Sequence, residues 1–451
     1  MGSYRIHKQQ ELQLMEALMQ QHHAFKPQDV SNTLWAAANM GLQLHEQQAR
    51  QLVDVLVQQR RAAKPQALSN TLLAAAKMEL RLPEQQMQQL VEALVQQQQA
   101  VKPQDISNTL WAAARRKADF AAARRTTMQL TSVEVALLQL ADAAVRMQLV
   151  EGMTPQAISN SLWALSELGM RPGKLVSLLM KAALQRVAAM NPQDISNTAL
   201  AAARLGIFEA PLFVALVAAA QQQWQGSTHN AQDICNLCWA VAVADQQQLA
   251  QQVAALSEQL AGSCVWEAGC TAANRSQLWQ AHLWLMDCQP GSGGLAGTLS
   301  AQQLQQCADE WELMLQQTAK QRRTVLEQSV FACARRLTGL AACCQETLTE
   351  DGAYSIDVTA MHTASGQRLA IEADGSTHFL LPGWQPTGDT LARDRALAAR
   401  GYVVVTVPCW EWDAKLGDAA QQTAYLRRKV ALALQKLEAG RPPGVGPAAA
   451  A

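Results

Sequence analysis

Carboxamide side chains recur at fixed positions along the first half of this 451-residue chain, and their chemistry is hydrogen bonding. An amide donates and accepts at once, so it can bond to a neighbouring repeat or to a polar ligand. One set is Gln28, Gln66, Gln104, Gln156, Gln193 and Gln232, and the other is Asn32, Asn70, Asn108, Asn160, Asn197 and Asn236. Residues that are identical in every copy cannot alone discriminate between ligands. For the Asn set two interpretations stay open: a ladder in which each amide bonds the backbone of the next repeat, or contact with a constant feature of a ligand.

These amides belong to a phrase that occurs six times, from KPQDVSNTLWAAA at Lys26 to NAQDICNLCWAVA at Asn230. Successive copies are 38, 38, 52, 37 and 39 residues apart, and 52 minus 38 leaves an insertion of 14 residues. Such a period is typical of a solenoid whose units are too small to bury their own apolar faces. Pro suits a first helical turn, and the apolar spacing predicts a helix from Pro27 to Met40 and a second, Gln-faced helix. The predicted fold is mostly α, with helix-pair repeats of about 38 residues.

The phrase and its period resemble the octotricopeptide repeat, whose consensus is near PPQELSNLLWALAKLG, over about residues 1–245. That family is known from RNA-binding proteins of organelles. The resemblance implies an array that binds a single RNA strand along its concave surface, and helical repeats can read one base per unit with two or three side chains. It also implies a chloroplast or mitochondrial location. The N-terminus lacks a long Arg/Ser-rich lead, so either targeting residues are missing from this sequence or the protein stays cytosolic.

Base discrimination would then come from repeat positions that vary. One is Asp29, Ala67, Asp105, Ala157, Asp194 and Asp233, and the other is the helix tip, Asn39, Lys77, Arg115, Glu167, Arg204 and Val243. Positions 28, 32, 36 and 39 share one helical stripe, which carries the constant amides, a small Ala that lets a base approach, and the variable tip. This stripe is the predicted RNA surface, with the constant Asn residues on sugar or phosphate. The alternative for the tips is ordinary solvation of a helix C-terminus.

The insertion after the third repeat adds a basic patch. Its cations are Arg115, Arg116, Lys117, Arg124 and Arg125, within eleven residues. We expect it either to clamp an RNA phosphate backbone or to be a solvated loop. A local patch matters because the net charge is zero, with 49% hydrophobic and 16% charged residues, so a global positive field is excluded.

Other features narrow the class of protein. No apolar run reaches about 18 residues, which excludes a membrane span. The ten Cys do not make a disulfide framework in a chain this long, and Cys235 and Cys238 align with repeat-helix positions. Residues 246–345 are predicted to be a helical capping or linker region, because they lose the phrase.

From about Tyr354 the hydrophobic period changes from 3.6 to 2. YSIDVTAM and RLAIEAD predict two strands, GDTLARDRALAARG a helix, YVVVTVP a buried strand, and Tyr425–Leu437 a last helix. We therefore predict an α/β domain over residues 346–438 and a disordered tail over 439–451.

Several residues of this segment resemble the RAP domain, found at the C-terminus of many organelle RNA-processing proteins. The match covers about residues 354–412 and includes Ile371 to Gly375, His378-Phe379, Arg393, Gly401-Tyr402 and Pro408 to Trp412. The RAP domain is itself similar to the restriction-endonuclease-like fold, in which an Asp and a Glu bind a divalent metal and a Lys two residues on polarises water. Asp357 and Glu372 would take the first two places, and Asp374 stands in the place of the Lys.

The resemblance thus implies candidate catalytic residues Asp357, Glu372, Asp374, His378 and Arg393, the first three as ligands of Mg²⁺. Asp374 cannot stabilise an oxyanion as a cation does, so His378 or Arg393 would have to substitute. The alternative is that Asp374 starts a turn and Asp357 is a strand-end carboxylate. Trp410 and Trp412 are expected on one side of an extended chain, where one offers a stacking face for a base, or else both lie in the core.

The sequence therefore predicts a sequence-specific factor for single-stranded RNA, active in transcript stabilisation, processing, splicing or translation activation. Its partners would be an organelle transcript and other RNA-processing proteins, not DNA, and it would require no cofactor. Two alternatives stay open. One is a Mg²⁺-dependent RNA endonuclease whose repeats choose the site, and the other is a protein-interaction solenoid.

Overall fold

The structure, a computed structural model, describes residues 24–41, 44–117, 130–224, 230–320 and 324–439. Arg124, Arg125 and the predicted tail, apart from Ala439, lie outside the described residues. The chain divides into two compact units, residues 1–205 with 381–383, and residues 206–380 with 384–451. Within the described ranges, no helix has the length and apolar character needed to cross a membrane.

The first unit is built from helix pairs whose first members begin at the repeated Pro. The helices are α1 (Pro27–Met40), α2 (Glu46–Gln58), α3 (Pro65–Lys77), α4 (Glu84–Gln96), α5 (Pro103–Ala114), α6 (Ser132–Arg146), α7 (Pro155–Glu167), α8 (Gly173–Arg186) and α9 (Pro192–Arg204). The helix predicted from Pro27 to Met40 is confirmed at both ends. Gly41 ends it with φ +67°, a left-handed conformation that glycine adopts without steric cost.

First helices stack on first helices along the unit, α1 on α3, α3 on α5, α5 on α7 and α7 on α9. The same apolar position is fully buried in each copy, as at Leu34, Leu72 and Leu110. Each such side chain stabilises the stack by about 2 kcal/mol through burial of apolar surface. The second helices bury Leu52 and Leu90 and turn their Gln-rich faces outward. The predicted mostly helical repeat fold is confirmed.

In the second unit the same stacking continues beyond residue 245. Its helices are α10 (Ala210–Gln223), α11 (Ala231–Val243), α12 (Ala250–Ala261), α13 (Val265–Gly269), α14 (Ala272–Cys288) and α15 (Ala301–Ala319). Helix α14 packs on α11 as successive first helices do, and Gln277 donates to Asn236 Oδ1 over 2.9 Å. The amide row therefore extends into a helix whose sequence has lost the phrase.

The rest of the second unit is a small α/β domain. Its elements are α16 (Val325–Arg336), β1 (Leu340–Leu348), β2 (Ser355–His362), β3 (Arg368–Asp374), β4 (Phe379–Leu380), β5 (Gln385–Pro386), α17 (Gly388–Ala399), β6 (Tyr402–Pro408), α18 (Cys409–Asp413) and α19 (Ala419–Ala439). The main sheet has the order β1-β2-β3-β6, antiparallel except for β3 with β6. The predicted strands β2, β3 and β6 and helix α17 are confirmed.

Two expectations about this domain were wrong. Residues 340–345 are not helical but begin β1, an edge strand with an irregular register between Ala341 and Cys344 and no clean alternation of burial. Residues 409–413 are not extended but form the short helix α18. Helices α16 and α19 pack on one face of the sheet, and α17 covers the other, where Leu397 meets Ala370. The sheet thus places Glu372 and Asp374, at the end of β3, in a buried layer.

Candidate nucleic-acid interface

The constant amides bond one another along and between repeats. Gln104 Nε2 donates to Asn108 Oδ1 over 2.8 Å within one helix, and Asn108 Nδ2 donates to Asn70 Oδ1 of the preceding repeat over 3.2 Å. The first repeat has the same intrahelical bond, from Gln28 to Asn32 over 2.9 Å. The bond between Asn108 and Asn70 therefore joins two side chains, whereas the ladder interpretation has each amide bond the backbone of the next repeat. Asn160 and Asn197 are half-buried at the equivalent position.

At the Asp position, two carboxylates are buried in contacts with the preceding repeat. Asp105 and Asp194 are only 3% and 4% exposed. Ser69 Oγ donates to Asp105 Oδ1, and Ser159 Oγ to Asp194 Oδ1, each over 2.6 Å and each from the preceding repeat. Asp105 also accepts the Lys102 N–H at 2.9 Å, which satisfies a free donor at the helix start. The carboxylates of Asp105 and Asp194 are thus held in contacts between repeats, and their expected role in base discrimination stays a prediction.

Asp29 provides a comparison, because it is exposed and accepts the Lys26 N–H at 3.0 Å, with no Ser bond from an earlier described repeat. We expect Asp105→Ala to lower the free energy of unfolding by about 2–4 kcal/mol, since it removes a cap and a buried bond to a charged group. Asp29→Ala should cost about 1 kcal/mol, the contribution of the cap alone. Urea unfolding of both variants measures the difference, and equal losses would show that the Ser69 bond contributes nothing.

The exposed stripe of each first helix differs from the predicted one at a single position. Position 36 was expected on it, but its equivalents Ala74, Ala112, Ala164, Ala201 and Ala240 are buried. The surface residue is one earlier: Trp35 is 49% exposed, and Leu73, Trp111 and Trp163 are half-buried. A residue seven positions after Gln28 returns almost to the same side of a helix, whereas the eighth lies about 80° away. The Gln, Asn, Trp and tip positions together form what we call the amide–tryptophan stripe.

The helix tips contact one another across repeats. Lys77 Nζ donates to Asn39 Oδ1 over 3.2 Å, and Arg204 and Lys117 both pair with Glu167. Burial alone would raise the pKa of the Glu167 carboxyl, but the two cations outweigh it and lower that pKa. The tips are therefore not merely solvated ends, because their hydrogen-bonding groups form a second, variable row beside the amides.

The described part of the basic patch divides between two roles. The Arg115 guanidinium lies 5.7 Å from the centre of the Trp111 ring, at the edge of the amide–tryptophan stripe. Arg116 Nη1 donates to the Leu80 carbonyl of the preceding repeat over 3.1 Å. Arg115 is exposed and placed to meet a phosphate, whereas Arg116 joins repeats.

Four of the five candidate catalytic residues of the α/β domain, all except Asp357, come together in one ion cluster. Arg393, on α17, donates to Asp374 from both terminal nitrogens, over 2.8 and 3.1 Å. The same guanidinium lies 3.2 Å from Glu372 Oε2 and 2.8 Å from Asp394 Oδ1. His378 Nδ1 is 3.4 Å from Asp374 Oδ1. The arrangement is a cation enclosed by carboxylates.

The carboxylates near Arg393 differ in their surroundings. Burial raises the pKa of Glu372 well above its ordinary value, and its Oε1 has no partner in the described residues. Burial also raises the pKa of Asp357 to about 6, although the Ala373 N–H donates to its Oδ2 over 2.8 Å. Burial lowers the pKa of His378, which favours its neutral form.

The expected magnesium site at Asp357, Glu372 and Asp374 does not fit this arrangement. Arg393 already neutralises Asp374 through a two-pronged bond and faces Glu372, so the carboxylate oxygens point at a guanidinium. In the part of the chain that the structure describes, no three His, Cys, Asp or Glu side chains are grouped to hold a metal ion. Arg393 bonds Asp374 and Asp394 and faces Glu372, and its expected action on water stays a prediction.

The two tryptophans after β6 have different environments. Trp412 is fully buried, donates to Ser329 Oγ over 3.0 Å and packs against Tyr425, so it cannot stack on a base. Trp410 is half-buried, with its ring centre 4.8 Å from that of Trp384. Helix α18 causes this split, because residues two apart in a helix point in different directions. Trp384 was not predicted, and only its aromatic character signalled it.

Comparison with protein families agrees with part of this description. Residues 371–429 match the RAP domain. The resemblance expected from residues 354–412 is thereby confirmed, and the RAP domain indicates a role in binding RNA. Residues 7–34, 58–110 and 171–198 match a family described as a protein of unknown function, DUF1601. Those segments overlap four of the six repeat copies, and the octotricopeptide assignment itself stays a prediction.

Proposed function

We propose that the protein is a sequence-specific binder of single-stranded RNA that acts in organelle RNA metabolism, as the resemblance to octotricopeptide repeats implies. The observation that carries this proposal is the amide–tryptophan stripe, in which three of the six copies place a partly exposed ring, Trp35, Trp111 or Trp163, beside the amides and a variable tip. An aromatic face stacks on any base, and polar side chains beside it can bond base edges. The RAP domain supports the same partner.

Within the stripe, positions that are identical in every copy and positions that vary have different roles. The constant Gln side chains are exposed in every copy, at Gln28, Gln66, Gln104, Gln156, Gln193 and Gln232. They meet features common to all nucleotides, while the changing tips Asn39, Lys77 and Arg115 discriminate between bases. Asn70 and Asn108 mainly order this row, because Asn108 is already bonded to Asn70 and to Gln104.

The endonuclease alternative rested on a magnesium site, and the Arg393 cluster removes that basis. The net charge is zero, so no global positive field supports binding, and stacking should supply much of the affinity. The proposed activity is therefore binding that protects or exposes a stretch of transcript.

The test is selection by the full chain from a random pool of short single-stranded RNAs, with the duplex forms of the same RNAs as control. We expect an enriched motif of about six nucleotides, one for each repeat copy. We also expect binding to weaken only moderately as salt is raised. A selection without enrichment, or a preference for duplex, would contradict the proposal.

A further inference from the structure

The second unit contains a cleft of about 630 Å³ between the last repeat helices and α17 of the RAP domain. Small-molecule sites in proteins usually measure about 300–1,000 Å³, so one nucleotide fits in this volume. Its walls carry the rings of Trp239, Trp284 and Trp311 on one side and His378 on the other.

The repeat side of the cleft is made of stripe positions. Trp239 and Val243 are the sixth-repeat counterparts of Trp35 and Asn39. In α14, the bond from Gln277 to Asn236 fixes the alignment of the two helices. Gln280 therefore occupies the position equivalent to Trp239, and Trp284 the position equivalent to Val243. The surface that is open in the first repeats is, in this unit, covered by α17.

Specific contacts hold α17 over the stripe. Arg395 donates to the carbonyls of Ala242 and Val243, over 2.7 and 3.2 Å, at the end of α11. Arg400 pairs with Asp287 over 2.9 Å. These bonds satisfy helix-end carbonyls and pair half-buried charges, so the cleft is a built feature of the unit.

The chemistry of the walls favours a nucleobase over a phosphate. The indole N–H groups are all engaged: Trp284 with Asp245 Oδ1 at 2.9 Å, Trp239 with Gln280 Oε1 at 3.0 Å and Trp311 with the Ala353 carbonyl at 2.7 Å. What the rings offer an occupant is therefore apolar surface. The cleft's arginines face carboxylates or carbonyls within the protein, which leaves the site without strong attraction for an anion.

We infer that this cleft receives one nucleobase of the bound RNA, unstacked from its neighbours and enclosed between the last stripe positions and α17. The inference rests on the proposed function, since the base arrives as part of an RNA strand. It assigns the RAP domain the role of a wall that encloses a base beside the stripe. Unstacking a base has a free-energy cost, which contacts with apolar and aromatic side chains offset.

The experiment fills the cleft by substitution. Ala392→Trp places an indole in the cavity from α17, and Ala398→Trp makes the same change at an exposed position of the same helix outside the lining. With a random single-stranded RNA pool as probe, we expect Ala392→Trp to weaken binding about tenfold and Ala398→Trp to leave it unchanged. Photo-crosslinking of thiouridine-substituted RNA to the unaltered chain should label peptides 239–247 or 280–288.

The outcomes separate this inference from the proposed function. If both variants bind as the unaltered chain does and crosslinks fall only on other peptides, the cleft is not a base site, while RNA binding stands. Weaker binding by Ala392→Trp without crosslinks in either peptide also overturns the inference, because the substitution then acts through the fold. If the unaltered chain binds no RNA, both fail together.

Discussion

Replacing Trp111 and Trp163 together by leucine is expected to weaken single-stranded RNA binding about a hundredfold while leaving the fold intact. Base–aromatic stacking contributes about 1–3 kcal/mol per base, so two lost platforms remove roughly 3 kcal/mol of binding free energy. Leucine is the informative replacement, because the second and fifth repeats already carry Leu73 and Leu200 at this position. The measurement is the dissociation constant for the RNA motif that the full chain selects.

A matched control is available on the second helix of the fourth repeat. Leu178 and Leu184 are each 39% exposed and lie on α8, away from the stripe positions. Replacing both by alanine removes exposed apolar surface without touching a ring of the stripe, and RNA affinity should change less than threefold, about half a kcal/mol. If the two double variants weaken binding equally, the tryptophans are packing residues and the proposed interface is wrong.

The arrangement of the repeats could be predicted from the sequence because its signals are local. Pro at the first helical turn and an apolar residue every third or fourth position fix where α1 begins and ends. The predicted stripe differs from the observed one at a single position, where Ala36 was expected and Trp35 is found. A small residue such as Ala36 would let a base approach, but helix geometry places Trp35, and not Ala36, two full turns from Gln28.

Contacts between repeats could not be predicted from local signals in the sequence. The alternation of Asp with Ala at one position was interpreted as a code, yet Asp105 bonds the constant Ser69 of the preceding repeat. From the sequence alone, variation at a buried helix-capping residue cannot be distinguished from variation at a residue that contacts bases. They differ only in burial, which depends on how the next helix packs.

The α/β domain shows the same limit over a longer range. Its strands were predicted from their period, but Arg393 meets Asp374 from a helix 19 residues later in the chain. That contact makes two of the three expected metal ligands, Glu372 and Asp374, the partners of a cation. Trp412 likewise lies in the core and not on the surface, because residues 409–413 form the helix α18.

Replacing Arg393 by alanine is expected to destabilise the α/β domain by about 3–5 kcal/mol at neutral pH. Removing one partner of a buried ion cluster leaves the others uncompensated, and here Glu372 and Asp374 are 3% and 1% exposed. Arg393→Lys should give an intermediate loss, because it keeps the charge but cannot bond Asp374 with two prongs. Hydrogen exchange of β3 amides in the full chain measures this local stability, and it should become at least about a hundredfold faster in Arg393→Ala.

The stability lost in Arg393→Ala should increase as the pH rises from acidic to neutral. Burial raises the pKa of Glu372 and of Asp394, so the stability tied to their protons is complete below the unfolded pKa and is lost as pH rises through the folded one. Without Arg393 these pKa values rise further, and the deficit must widen from acidic to neutral pH. Arg427→Ala, an exposed arginine of α19, is the control, with an expected change within about 0.5 kcal/mol at any pH. An Arg393→Ala deficit that matches this control, or that stays constant with pH, would mean that the guanidinium does not hold the carboxylates together. The metal-binding interpretation of Glu372 and Asp374 would then regain its basis.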